Sequence, residues 1–119
     1  MPKVHDLAPI LASTDVAATV RFLVGTLGFV EDWTAEADRV AVYASLTLDG
    51  KGLFVVLNPR ARNDAQVTFW IDDADAYHVQ IVAKGATPPP PEDRQFGMRD
   101  FDVRAPGGVI LTFGSQIAR

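Results

Sequence analysis

The chain repeats itself at a spacing of 58 residues. Asp15 and Asp73, Gly50 and Gly108, and Leu53 and Leu111 all stand 58 apart, and Gly28 and Gly85 stand 57 apart. Self-similarity at a fixed period restricts architecture more than local propensity does, because each copy must build the same unit. The first copy opens with an apolar run, Leu7 to Ala12, that reads as a strand, followed by Ser13, Thr14 and Asp15 as helix-capping residues. Val16, Val20, Leu23 and Leu27 then recur every three or four residues, and Gly28 closes that stripe where a left-handed cap belongs. Phe29 to Trp33 and Val40 to Leu48 read as strands, and Asp49-Gly50 is a tight-hairpin signal leading into Leu53 to Leu57. The second copy follows the polar connector Pro59 to Asp64. Gln66 to Ile71 predicts a strand, Asp72-Asp73 caps a helix through Tyr77, Ile81 and Val82 to Lys84-Gly85, and strands follow at Arg99 to Arg104 and Val109 to Phe113.

The expected fold is therefore α+β, with two tandem βαβββ units, about 5–58 and 64–115, in one domain spanning 1–119 and forming a curled, incompletely closed mixed sheet. A four-stranded sheet that takes a helix on one face leaves the other face to close over a cavity, the other copy or a second chain. A homodimer is the expected remedy for the open face and the free strand edges.

Composition narrows the function. The chain has 119 residues and no cysteine, which removes thiolate metal sites, iron–sulfur clusters and thiol nucleophiles. A formal charge of −4 repels polyanions, so nucleic acid is not an expected partner. The longest apolar runs have strand length, so no membrane span is expected, and Asp6 precedes any run of signal-peptide length, so the expected location is cytoplasmic. Of the two histidines, His78 sits three residues after Asp75 on the second helix and is read as a surface residue of the helix flank. The acidic run Asp72, Asp73 and Asp75 is read as capping, and Pro88 to Pro91 as a stiff arm returning the chain to the sheet edge. Ser13, Ser45 and Ser115 lie in no serine-nucleophile motif.

Pro9-Ile10-Leu11 with Asp15, Arg21-Phe22-Leu23, Leu27-Gly28-Phe29, Ile71-Asp72-Asp73-Ala74-Asp75 and Phe96-Gly97-Met98-Arg99-Asp100-Phe101 with Gly107-Gly108 resemble the vicinal oxygen chelate superfamily of glyoxalases, bleomycin-resistance proteins and extradiol dioxygenases. The resemblance covers essentially the whole chain and is strongest to the bleomycin-resistance-like subgroup. Enzymes of that superfamily hold a divalent metal through the first and last strands of each unit, and the resemblance places those positions at Ala8, Leu53, Gln66 and Leu111. Three of these offer no donor to a metal, so no metal and no other cofactor are expected.

Alternation along the strand at Gln66 to Ile71 puts Val67, Phe69 and Ile71 under the helix and Gln66, Thr68 and Trp70 on the opposite face. Leu111 and Phe113 are expected on that same cleft face, and the resemblance places Leu53, Val55 and Leu57 across from them. The candidate ligand-binding residues are Trp70, Gln66, Thr68, Phe113, Arg99, Trp33 and Asn58, around a small organic molecule. The resulting expectation is a metal-free binding protein like the bleomycin-resistance proteins, with antibiotic sequestration among its uses. The alternative is a glyoxalase-like lyase or isomerase, or a dioxygenase, with non-standard metal ligands. Packing of the same aromatics into a core or a dimer seam is the reading without a ligand.

Overall fold

The computed structural model describes residues 1–62 and 66–117. Asn63 and Asp64 of the polar connector lie outside the described residues. Two four-stranded mixed sheets form, each with the helix of its own unit. In the first unit β1 (Ile10–Ser13), β2 (Val30–Ala37), β3 (Val40–Leu48) and β4 (Lys51–Leu57) run in the order β1-β4-β3-β2. In the second, β5 (Gln66–Trp70), β6 (Glu92–Asp93), β7 (Met98–Arg104) and β8 (Ile110–Gln116) run in the order β5-β8-β7-β6. In each sheet the first strand pairs with the last in parallel and the other pairs are antiparallel. Leu11 lies opposite Val55 and Phe69 opposite Phe113, so the 58-residue spacing is preserved in the pairing itself.

The landmarks of the repeat carry the same local chemistry. Asp15 and Asp73 both sit at φ −150° and cap their helices, α1 (Val16–Phe22) and α2 (Ala74–Ala83), by accepting from the backbone N–H three residues on, at 3.1 Å and 3.0 Å. Gly28 and Gly85 both take positive φ at the helix ends, where a side chain on Cβ would be strained. The stretch from Asp15 to Gly28 is one residue longer than that from Asp73 to Gly85, and Leu23–Leu27 of the longer one is wound as a π-helix. A π turn is the usual way for a helix to absorb one extra residue without moving its ends.

Four elements depart from the sequence expectation: β2 runs on to Ala37, four residues past Trp33, β8 runs to Gln116, three past Phe113, and β1 and β6 also differ. Strand β1 begins at Ile10 rather than Leu7, after Pro9. Strand β6, two acidic residues following the proline arm, carries no apolar alternation to announce it.

The helix-facing residues of both sheets meet in one core. Leu11, Leu46, Leu53 and Val55 are buried there from the first sheet, and Phe101, Val103, Leu111 and Phe113 from the second. Phe29 meets Phe69 edge to face at 5.6 Å, and the Tyr77 hydroxyl donates to the Leu27 carbonyl at 2.5 Å, which fastens one unit to the other. The β7–β8 turn also reaches the first unit: the Thr14 N–H donates to the Gly107 carbonyl at 3.0 Å, and the Thr19 hydroxyl lies 2.5 Å from the Pro106 carbonyl.

Candidate functional site

Because the apolar residues of each strand are consumed by this core, the alternate residues project from the opposite, open faces. On the second sheet Gln66, Thr68 and Trp70 project there from β5, Thr112 from β8, and Met98, Asp100 and Asp102 from β7. With Arg94 and Phe96 of the β6–β7 turn they line a depression of about 430 Å³. Trp70 is 65% exposed and Phe96 88% exposed, so two large aromatic faces stand in water beside polar side chains. An exposed aromatic flanked by aligned hydrogen-bonding groups is the composition of an organic-ligand site.

The polar groups of this face are ordered among themselves. The Gln66 side-chain amide donates to Thr112 Oγ1 at 3.1 Å, and that hydroxyl donates to Asp102 Oδ1 at 2.7 Å. Arg94 Nε donates to Asp100 Oδ1 at 2.7 Å and its Nη1 to Glu92 Oε2 at 3.1 Å. The hydrogen bond and charge of Asp100 push the Arg94 pKa further up, so its positive charge is fixed.

The first sheet presents a second open face. Trp33, 48% exposed, stacks on Tyr43 at 5.7 Å and leans on Phe54 at 6.2 Å. Asp32, at a bulge in β2, accepts from the hydroxyls of Ser45 at 3.0 Å and Thr47 at 2.7 Å. Trp33 and Trp70 thus occupy the open faces of different sheets.

The structure brings together Gln66, Thr68 and Trp70 as the alternation predicts, and corrects other placements. Phe113 pairs with Phe69, not with a cleft residue, and is fully buried against Phe69 at 5.4 Å and Tyr77 at 4.8 Å. Leu111 is buried on the same side. The parallel pairing of β5 with β8 decides this, and strand β8 read alone does not reveal it. Leu53 and Val55 are buried and Leu57 packs against the core, so the cleft-facing residues of β4 are Phe54 and Val56. Arg99 does not reach the open face: its guanidinium pairs with Asp75 at 3.0 Å and Asp93 at 2.9 Å, tying α2 to β6. Asn58 closes a turn after β4 by accepting from the Arg60 N–H at 3.0 Å. His78 joins α2 to the proline arm, with Nε2 3.1 Å from the Pro89 carbonyl and its ring edge-on to Phe101 at 5.1 Å.

Sequence reasoning missed Thr112, Asp100, Asp102, Arg94 and Phe96, and on the first sheet Tyr43, Phe54 and Asp32. The hairpin at Asp49-Gly50 was the available signal for Phe54: it sets Leu46 opposite Leu53, which sends Leu53 to the core and Phe54 outward.

Two of the positions that the resemblance assigns to a metal, Leu53 and Leu111, do not suit one here. Leu53 and Leu111 are buried under the helices, and the residues facing outward beside them, Phe54 and Thr112, supply at most a hydroxyl. Among the described residues no three His, Asp or Glu side chains gather where one ion would touch them all.

No family model and no curated protein matches the chain. Solved structures do. The bleomycin-binding protein from bleomycin-producing Streptomyces verticillus, complexed with copper(II)-bleomycin, superposes over all of both chains with a TM-score of 0.79 and 25% identity. TioX from Micromonospora sp. ML1 is 26% identical with a TM-score of 0.75, over 96% of this chain and all of the other. A glyoxalase-related enzyme from Clostridium phytofermentans, at 19% identity, shares the fold over 98% of each chain with a TM-score of 0.79. The structural neighbours are thus bleomycin-binding proteins and members of the glyoxalase, bleomycin-resistance and dioxygenase group, and the chain carries the fold of the vicinal oxygen chelate superfamily, most like its bleomycin-resistance-like subgroup.

Proposed function

We propose that this protein is a metal-free binding protein that holds a small organic molecule against the open face of the second sheet, with Trp70 as the stacking surface and Gln66 and Thr68 as polar contacts. The observation that carries the reading is a tryptophan 65% exposed at the edge of a 430 Å³ depression lined by an amide, hydroxyls and carboxylates. The bleomycin-binding neighbour lends support, since it is a protein of this fold complexed with an organic molecule, and antibiotic sequestration is a use consistent with it. The protein works as a homodimer in which one chain's open face is completed by its partner's. A metal-dependent lyase or dioxygenase has less support, because among the described residues no three His, Asp or Glu side chains gather around one point on either open face.

A thermal-shift screen of aromatic organic molecules, bleomycin among them, tests this. Ligand at a hundredfold its dissociation constant adds about 2.7 kcal/mol of stability, a readily seen rise in melting temperature. Chelator leaves the melt unchanged. A screen in which nothing stabilises the protein, or a chelator-sensitive melt with one metal per chain, contradicts the proposal.

A further inference from the structure

We propose that the cleft between the β3–β4 hairpin and α2 is a second ligand site, apart from both open faces, and that it takes a free amino acid with a bulky apolar side chain. A break in the internal repeat exposes it.

The 58-residue offset relates two junctions, each formed where the last hairpin of one unit meets the start of the other unit's helix. At the start of α1 the junction is shut. The Thr14 N–H donates to the Gly107 carbonyl at 3.0 Å, the Thr19 hydroxyl donates to the Pro106 carbonyl, and Ser13 Oγ leaves Gly107 no room for a Cβ. At the start of α2 these closing residues are exchanged: Gly107 is answered by Asp49, Thr14 by Asp72, Ser13 by Ile71 and Thr19 by Tyr77. The two aspartates set like charges on the hairpin wall and the helix wall, and the Tyr77 hydroxyl is spent on the Leu27 carbonyl. Among the described residues no hydrogen bond joins this hairpin to α2, and a cleft of about 830 Å³ stands in place of the seal.

The floor of the cleft is apolar, made of the half-buried Leu48, Phe69, Ile71 and Tyr77. Its rim is charged. Asp49 and Lys51 flank Gly50 on the hairpin and Asp72 stands at the start of α2, and none of the three has an ion pair among the described residues. The fourth charged group, Asp73, is already engaged in capping α2 through the Ala76 N–H. An α-amino acid matches this set: its ammonium has three donors for the two free carboxylates, its carboxylate takes Lys51, and its side chain covers the floor. A cation without a carboxylate leaves Lys51 uncompensated, and an anion meets two aspartates. The bound amino acid links hairpin to helix, as the protein's own hydrogen bonds do at the other junction.

Trp70 borders both this cleft and the open-face depression, so tryptophan emission does not separate the two sites; backbone amide shifts do. The isotope-labelled full chain is titrated with L-leucine, L-leucinamide, 4-methylpentanoate and glycine at mildly acidic pH, where the amines are charged. Leucine is expected to shift the amides of Asp72, Ala76 and Gln80 and to leave those of Asp100 and Asp102 unmoved. It is expected to bind about threefold more tightly than leucinamide, the worth of one exposed ion pair, with 4-methylpentanoate and glycine weaker still. Lys51→Met is expected to remove the preference for leucine over leucinamide. Ala76→Leu, which fills the cleft from an exposed helical position, is expected to abolish leucine binding while the helical signal is kept. No shift at the solubility limit of leucine, shifts centred on the open face, equal binding of leucine and leucinamide by the native protein, or a preference that survives Lys51→Met overturns the proposal. The open-face binding reading is untouched by any of these results.

Discussion

Tyr77 lies half-buried on α2 with its hydroxyl donating to the Leu27 carbonyl at 2.5 Å, across the boundary between the two units. Burial pushes its pKa up to about 12 from 10.0. A folded-state pKa above the unfolded value means the stabilisation is complete below pH 10 and is lost as pH rises through about 12. Tyr77→Phe is expected to lower stability by about 1 kcal/mol at neutral pH, the net worth of one hydrogen bond. It should also flatten the alkaline fall in melting temperature between pH 10 and 12; an alkaline limb as steep as the native protein's would contradict this assignment. Residue by residue, the candidate site was legible where local alternation decides a face, as for Gln66, Thr68 and Trp70. It was illegible where a distant pairing decides, as for Phe113, or where an unforeseen partner captures a side chain, as Asp75 and Asp93 capture Arg99.

Among the elements, the β7–β8 turn is the one whose close approach tolerates least. Gly107 sits at φ +88°, and a Cβ there would run into Ser13 Oγ and stand 2.8 Å from Thr19 Oγ1, the two buried hydroxyls where β1 passes into α1. Gly107→Ala combines a left-handed backbone with overpacking against fixed groups, and is expected to destabilise by about 3 kcal/mol in chemical denaturation. Gly114→Ala meets mainly the Met98 side chain, which can swing aside, so its effect should be clearly smaller. Equal effects at the two glycines would refute the distinction between a fixed and a yielding neighbour. Elements set by capping, periodicity and turn chemistry were legible: both helices start at the aspartates that the sequence marks, and the Asp49-Gly50 hairpin forms with both residues at positive φ. The π turn was implicit in the one-residue slip between the repeats, while β6 follows the proline arm that His78 meets at Pro89, and Arg99 ties its Asp93 to β7.

At the scale of the molecule, the core between the two sheets turns each sheet's polar face outward and leaves Trp33 and Trp70 on separate walls. A two-fold pair that sets one chain's first sheet against its partner's second would bring those walls together, and sedimentation is expected to give about twice the 12.9 kDa chain mass at micromolar concentration. A mass of one chain would contradict that assembly. The central claim is that the face around Trp70 binds an organic ligand, and tryptophan fluorescence during titration with a hit from the thermal-shift screen tests it most directly. The change in emission is expected to survive Trp33→Phe in large part and to vanish in Trp70→Phe, with weaker affinity, while Trp70→Phe keeps the fold at a cost of about 1.5 kcal/mol or less. Full retention of both the signal and the affinity in Trp70→Phe would contradict the account.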